Sequence, residues 1–141
     1  MQVFIIGSPL DTAINLDTRR LNKQIIECQQ ILNAINGNKA WKNHPCTLQY
    51  KGHEVWLNDY MSCLMWYRIG DLERANICSS WCDINKPNFH TQEYFNQMKR
   101  RLYTKDKEHY KQWSSLGESD VNWYFVGGNW IYYKNGKKII L

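Results

Sequence analysis

Arg19, Arg20, Lys23 and Glu27 lie close together in the sequence, and their spacing has a chemical meaning. On a helix Arg20, Lys23 and Glu27 stand at i, i+3 and i+7 and line one stripe, with Arg19 beside it. A carboxylate set among cations is held in its charged form. Such a group can stabilise positive charge on an oxocarbenium-like sugar or orient a water. The flanking cations can hold DNA phosphates. The same spacing also describes an ordinary solvated helix face with i,i+4 ion pairs, and spacing alone does not separate the two.

Other residues add to this set. His44 and His53, the latter followed by Glu54, flank one loop, and His90 precedes a later helix; each can contact phosphate, move a proton, or serve as a capping or buried structural histidine. Between Phe95 and Trp113 the cations Lys99, Arg100, Arg101, Lys105, Lys107 and Lys111 face only Asp106 and Glu108, a local excess of +4 against +5 for the whole chain. Most of the net charge therefore sits in one stretch, a candidate phosphate-binding surface. Seven Trp and nine Tyr exceed what a small core needs. Trp41, Trp123, Tyr124 and Trp130 are candidates for stacking on bases. Cys78 and Cys82, with His90 further on, do not make the paired spacing of a zinc site, so no metal and no cofactor is expected. Gly127-Gly128 lacks the helix and Gly-Lys-Ser/Thr of a phosphate loop.

These residues need elements to position them. Asp17 or Thr18 can cap a helix whose apolar positions Leu21, Ile25, Cys28, Ile31 or Leu32, and Ile35 recur at steps of three and four, with Gly37 as its stop. Val3 to Ile6 reads as an extended segment ending at the turn signal Gly7-Ser8-Pro9. The stretch from Asn38 to Lys51 reads as a loop in which Pro45 keeps His44 out of the helical region. A second helix, expected to be the most buried, runs from near His53 to Ile69, with further helical turns from Leu72 to Cys82. A third spans Thr91 to about Tyr103. The tail alternates aromatic runs with Gly127-Gly128 and Asn135-Gly136, the pattern of a hairpin or meander. The expectation is a mainly α, compact single domain over residues 1–141: a three-helix core, an extended N-terminal segment and a short aromatic C-terminal β-hairpin or meander.

Length and composition agree. The 141 residues, 43% of them hydrophobic, suit one folded domain with one core. No run approaches the ~18 apolar residues of a membrane span. The segment MQVFIIGSPL has no basic n-region, so a secretory signal is not expected. Five irregularly spaced Cys then read as reduced thiols in a cytoplasmic protein.

Taken together, the pattern Leu16-Asp17-x-Arg19-Arg20-Leu21-x-Lys23-Gln24-x-x-Glu27-x-x-x-Ile31-Leu32, then Trp41-x-Asn43-His44-Pro45, then Lys51-Gly52-His53-Glu54-x-x-Leu57-x-x-Tyr60, then Trp66 with Arg68-x-Gly70, resembles the endonuclease V-like pyrimidine-dimer DNA glycosylase family, in its phage and bacterial branch. It covers residues 1 to 70 well and continues weakly through Phe89-His90 and Lys105-Asp106-x-x-x-Tyr110. The resemblance implies removal of a damaged or modified pyrimidine from duplex DNA in a bacterial or phage-infected cell, with Glu27 as the catalytic carboxylate. It also implies a lyase step through the N-terminal α-amine, here on Met1, and His90 joins the catalytic candidates. Arg19, Arg20, Lys23, His44, His53, Lys99, Arg100 and Arg101 are the DNA-binding candidates. The sequence departs from the family pattern at Gln2, a residue large enough to retain Met1, and at Ile26 and Gln30, where the resemblance places arginines. A non-catalytic phage-type factor that binds DNA, a nucleotide or a host protein is the second reading, and action on free nucleotides a third. Oligomeric state is left open.

Overall fold

The structure, a computed structural model, describes residues 1–140. Among them are six α-helices: α1 Pro9–Asn15, α2 Thr18–Ile35, α3 Pro45–Tyr50, α4 Glu54–Arg68, α5 Leu72–Ile84 and α6 Gln92–Lys105. A 3-10 helix, Lys111–Leu116, follows, and the chain ends in β1 Val121–Val126, β2 Asn129–Lys134 and β3 Lys137–Ile139. The fold is mainly helical with a small terminal sheet, and its core draws on more helices than the three that the periodicity suggests. No helix of the described residues is long and apolar enough to cross a membrane.

α2 forms where the spacing places it. The Asp17 side chain caps it by accepting from Arg20 N–H. Its inward face buries Leu21, Ile25, Cys28, Ile31 and Leu32, each large aliphatic side chain contributing roughly 1.5–3 kcal/mol. α4 buries Trp56, Leu57, Tyr60 and Leu64, but its apolar residues Val55 and Met65 are 62% and 42% exposed. It is not the most buried helix, because eight residues of α2 are buried against six of α4.

Two short helices correct the sequence reading. Pro9 and Pro45, which look like breakers, each occupy the first turn of a helix, where the missing N–H costs nothing. Ser8 caps α1 through its side chain, and His44 caps α3 by accepting from Cys46 N–H at Nδ1, 3.0 Å. His44 is itself extended, as Pro45 requires.

The N-terminal segment threads the middle of the molecule. Val3 and Ile5 are fully buried. Gln24 of α2 accepts from Phe4 N–H (2.5 Å) and donates to Gln2 C=O (3.0 Å), while Tyr124 of β1 donates to Met1 C=O (2.8 Å). The sheet is an antiparallel meander, β1-β2-β3. Its tight turn has positive φ at both Asn135 (52°) and Gly136 (75°), as a type I′ hairpin demands. In register, Asn122 opposes Tyr133 and Tyr124 opposes Ile131, so these four side chains share one face of the sheet.

Candidate functional site

Glu27 lies on the inner edge of α2, only 9% exposed, and opens into a cavity of about 200 Å³. Phe4, Arg19, Arg20, Lys23, Gln24, Glu27 and Lys105 line it. The helix supplies the cationic stripe, the N-terminal segment supplies Phe4, and the last residue of α6 supplies Lys105. Lys23 Nζ stands 3.9 Å from Glu27 Oε1. Arg20 is held by Asp17, Nη1 to Oδ1 3.2 Å, and Asp17 in turn accepts from Tyr110 Oη. Burial raises the Asp17 pKa, but the hydrogen bonds from Tyr110 and Arg20, with the Arg20 charge, outweigh it and hold the carboxyl below its ordinary 3.8.

Lys105 is the one member of the second cation cluster that reaches this cleft. Partial burial lowers its pKa, and Arg101, Arg20 and Lys23 lower it further against the opposing pull of Glu27. Four cations thus converge on one carboxylate. That arrangement can grip phosphate at its rim and present a negative charge at its centre.

The rest of the cluster has structural partners. Arg100 Nε donates to Leu116 C=O (2.9 Å); Arg101 Nε donates to Asn122 Oδ1 (2.9 Å) and its Nη1 to Ser119 C=O (3.2 Å). Together they tie α6 to the loop before β1. Lys99 lies over the Trp113 ring, 5.9 Å from its centroid. These three side chains do not line the Glu27 cavity.

A second cavity, about 330 Å³, is lined by Met1, His44, Pro45, Asn122, Tyr124, Tyr133 and Gly136. The buried Cys46 thiol is pushed up to about 12 by burial, and there the N-terminal amine and Glu27 act with opposite sign. Glu27 acts both on Lys105 of the first cavity and on Tyr124 of the second. Burial and the N-terminal charge lower the His44 pKa.

The remaining candidates lie elsewhere. His90 is 4% exposed, and its Nε2 is 2.9 Å from Tyr50 Oη, within an aromatic cluster that includes Phe89 and Tyr94. Burial, with Lys86 and His53, holds its pKa near 3. It lines neither the Glu27 cavity nor the Met1 cavity, and it is buried among aromatic side chains. His53 packs edge-on against Phe89 in the same region, with its pKa lowered by burial against the pull of Glu54. Tyr124, 2% exposed, has no free face for a base and forms a wall instead. Trp123 and Trp130 are half-buried and pack edge-on against each other. Trp41 is 48% exposed and edge-on to His44.

Sequence reasoning did not single out Gln24, Asn122 or Tyr133. A glutamine in the cap-proximal half of an amphipathic helix carries no signal of its own. Its burial follows only from the segment it binds.

Residues 1–66 match the family model described as pyrimidine dimer DNA glycosylase, which supports the family assignment. No curated protein and no solved structure matches the chain significantly.

Proposed function

We propose that this chain, assigned by its N-terminal half to the pyrimidine dimer DNA glycosylases, removes a damaged or modified pyrimidine base from duplex DNA. The observation that carries the reading is the cleft in which Arg19, Arg20, Lys23 and Lys105 surround the recessed Glu27. The cations hold the backbone around the target nucleotide. The base leaves the stack, and the glycosidic electron pair departs with it. Glu27 stabilises the positive charge that develops on the sugar and orients the attacking nucleophile.

A lyase step through the α-amine of Met1 belongs to the same proposal. The amine nitrogen bonds to C1′ as the base departs, the C1′–O4′ bond opens to give the Schiff base, and loss of a C2′ proton then expels the 3′ phosphate and cuts the strand. It is supported by the course of the N-terminal segment, which brings Phe4 to the Glu27 cleft and Met1 to a cavity of its own. Borohydride trapping of a covalent protein–DNA adduct tests this step separately.

One observation favours the non-catalytic reading. Ile26, beside Glu27, is 58% exposed where the resemblance calls for arginine, so α2 carries fewer cations than the family pattern. A screen of duplexes, each with one damaged or modified pyrimidine, decides between the two. Base release from at least one is expected. Tight binding with release from none supports the binding factor.

A further inference from the structure

β1 takes hold of the N-terminus with two successive residues. Tyr124 Oη donates to Met1 C=O (2.8 Å), and Trp123 C=O accepts from Gln2 Nε2 (3.3 Å). Gln2 Nε2 also reaches Tyr94 Oη (3.4 Å), and Gln2 C=O accepts from Gln24 Nε2 (3.0 Å). Gln2 is 3% exposed and Tyr124 2%, so neither side chain is free to swing into solvent. β1 is itself fixed to α3, where Gln49 Oε1 accepts from Phe125 N–H (2.6 Å). The Met1–Gln2 peptide is planar from one Cα to the next. Tyr124 sets the direction of its C=O, and the bonds made by Gln2 hold its other end. Met1 Cα is thereby placed. The amine nitrogen, about 1.46 Å from that Cα, is left with rotation about the single Cα–C bond. Met1 and Tyr124 together line the cavity of about 330 Å³ beside the start of α3.

We propose that Tyr124 is a positioning residue for the lyase step: its hydroxyl, by holding Met1 C=O, orients the α-amine towards C1′ of the target nucleotide. This role rests on the reading of Met1 as the nucleophile, and it extends the reaction machinery to a strand beyond the residues 1–66 of the family match. At an abasic site C1′ is an aldehyde carbon. The lone pair of the free amine forms the N–C1′ bond, the aldehyde oxygen leaves as water with both amine protons, and an imine results. A nucleophile on a loose chain end must find that carbon among many orientations. One restricted to a single rotation has most of the ordering done beforehand, and this lowers the barrier without any contact between Tyr124 and the reacting atoms. A hydroxyl that only anchored the fold would change how much protein is active, not how fast the active protein reacts.

The test uses a duplex with one abasic site and cyanoborohydride, which reduces the imine to a stable protein–DNA adduct. With duplex in saturating excess, the final amount of adduct counts active protein and the rate constant reports the chemistry. Tyr124→Phe keeps the ring and removes the hydroxyl. Its rate constant is expected to fall about tenfold at an undiminished final amount, with affinity for a tetrahydrofuran-containing duplex within about threefold of wild type. A second protein carries one glycine before Met1, which moves the amine outward by up to about 3.6 Å and leaves every side chain in place. Its rate constant is expected to fall about a hundredfold. If Tyr124→Phe does not fold, the extended protein decides alone. A wild-type rate in either protein, or less adduct formed at the wild-type rate in Tyr124→Phe, overturns the positioning role and leaves the lyase step standing. No adduct with the wild-type protein overturns the lyase step and the positioning role together, and leaves base release by Glu27 to its own measurement.

Discussion

Gln24 and Glu27 stand one helical turn apart on the inward side of α2 and divide its work. Gln24, 2% exposed, fastens the N-terminal segment through Phe4 N–H and Gln2 C=O and also accepts from Tyr60 Oη (3.0 Å). Glu27 faces the cleft that this segment helps to wall with Phe4. The carboxylate's surroundings therefore depend on a glutamine that does no chemistry.

Gln24→Ala leaves three groups without their partner, Gln2 C=O and Tyr60 Oη buried and Phe4 N–H partly so. Each unpaired group costs about 1–3 kcal/mol, and partial relaxation brings the expected loss of stability to about 2–4 kcal/mol. Urea unfolding measures it. Hydrogen exchange at the Phe4 amide is expected to accelerate well beyond that of the α4 core.

Lys105→Ala is expected to weaken duplex binding about three- to tenfold and to lower the salt dependence of binding by about one phosphate contact. Arg100→Ala and Arg101→Ala act differently. They release the loop before β1 and lower the melting temperature. A titration of affinity against salt separates the two classes: a salt slope that Lys105→Ala leaves unchanged places this lysine outside the DNA contact.

Asp17 makes stability pH-dependent at the acid end. Its folded pKa lies below its unfolded value, so its contribution is present above the unfolded pKa, near 4, and is lost as pH falls through the folded one. Tyr110→Phe removes one of the hydrogen bonds that hold the carboxyl down. Less stabilisation is then available at neutral pH, and the stability–pH profile of Tyr110→Phe is expected to be flatter below pH 4 than the wild type's.

His90 acts over a different window. Its folded pKa, near 3, lies below the ordinary 6.5, so the unfolded chain takes up the proton first. Stability is full above pH 6.5 and falls as pH drops from there towards 3. His90→Gln is expected to flatten that slope, at a cost in overall stability from the lost Tyr50 contact, and to leave the pH profile of base release at neutral pH unchanged. Stability measured by denaturant between pH 7 and 4 checks the sign.

The strongly patterned parts of the fold were legible from residues. Asp17, the three–four spacing of Leu21, Ile25 and Cys28, and the Gly37 stop define α2, while Asn135-Gly136 defines the last turn. α1 and α3 were not legible, because proline reads first as a breaker and only its capping partners, Ser8 and His44, reveal a helix start. In the site, the Arg19, Arg20, Lys23 and Glu27 stripe followed from helical spacing. Which cation of the Lys99 to Lys111 stretch joins it did not: Lys105 is set apart from Arg100 and Arg101 by where carbonyls of the distant loop happen to lie. His90 carried no mark of its burial, since that depends on aromatic residues far away in sequence.

The proposed base release turns on Glu27. The direct measurement is single-turnover base release by Glu27→Gln, on the modified-pyrimidine duplex that the wild-type protein processes, beside the affinity of both proteins for that duplex. The amide keeps the side chain's shape and removes its charge. Base release is expected to fall about a hundredfold or more, with affinity changed by no more than about threefold, since the phosphate contacts come from the surrounding cations. Equal rates of base release in the two proteins would contradict the assignment of Glu27 as the catalytic carboxylate.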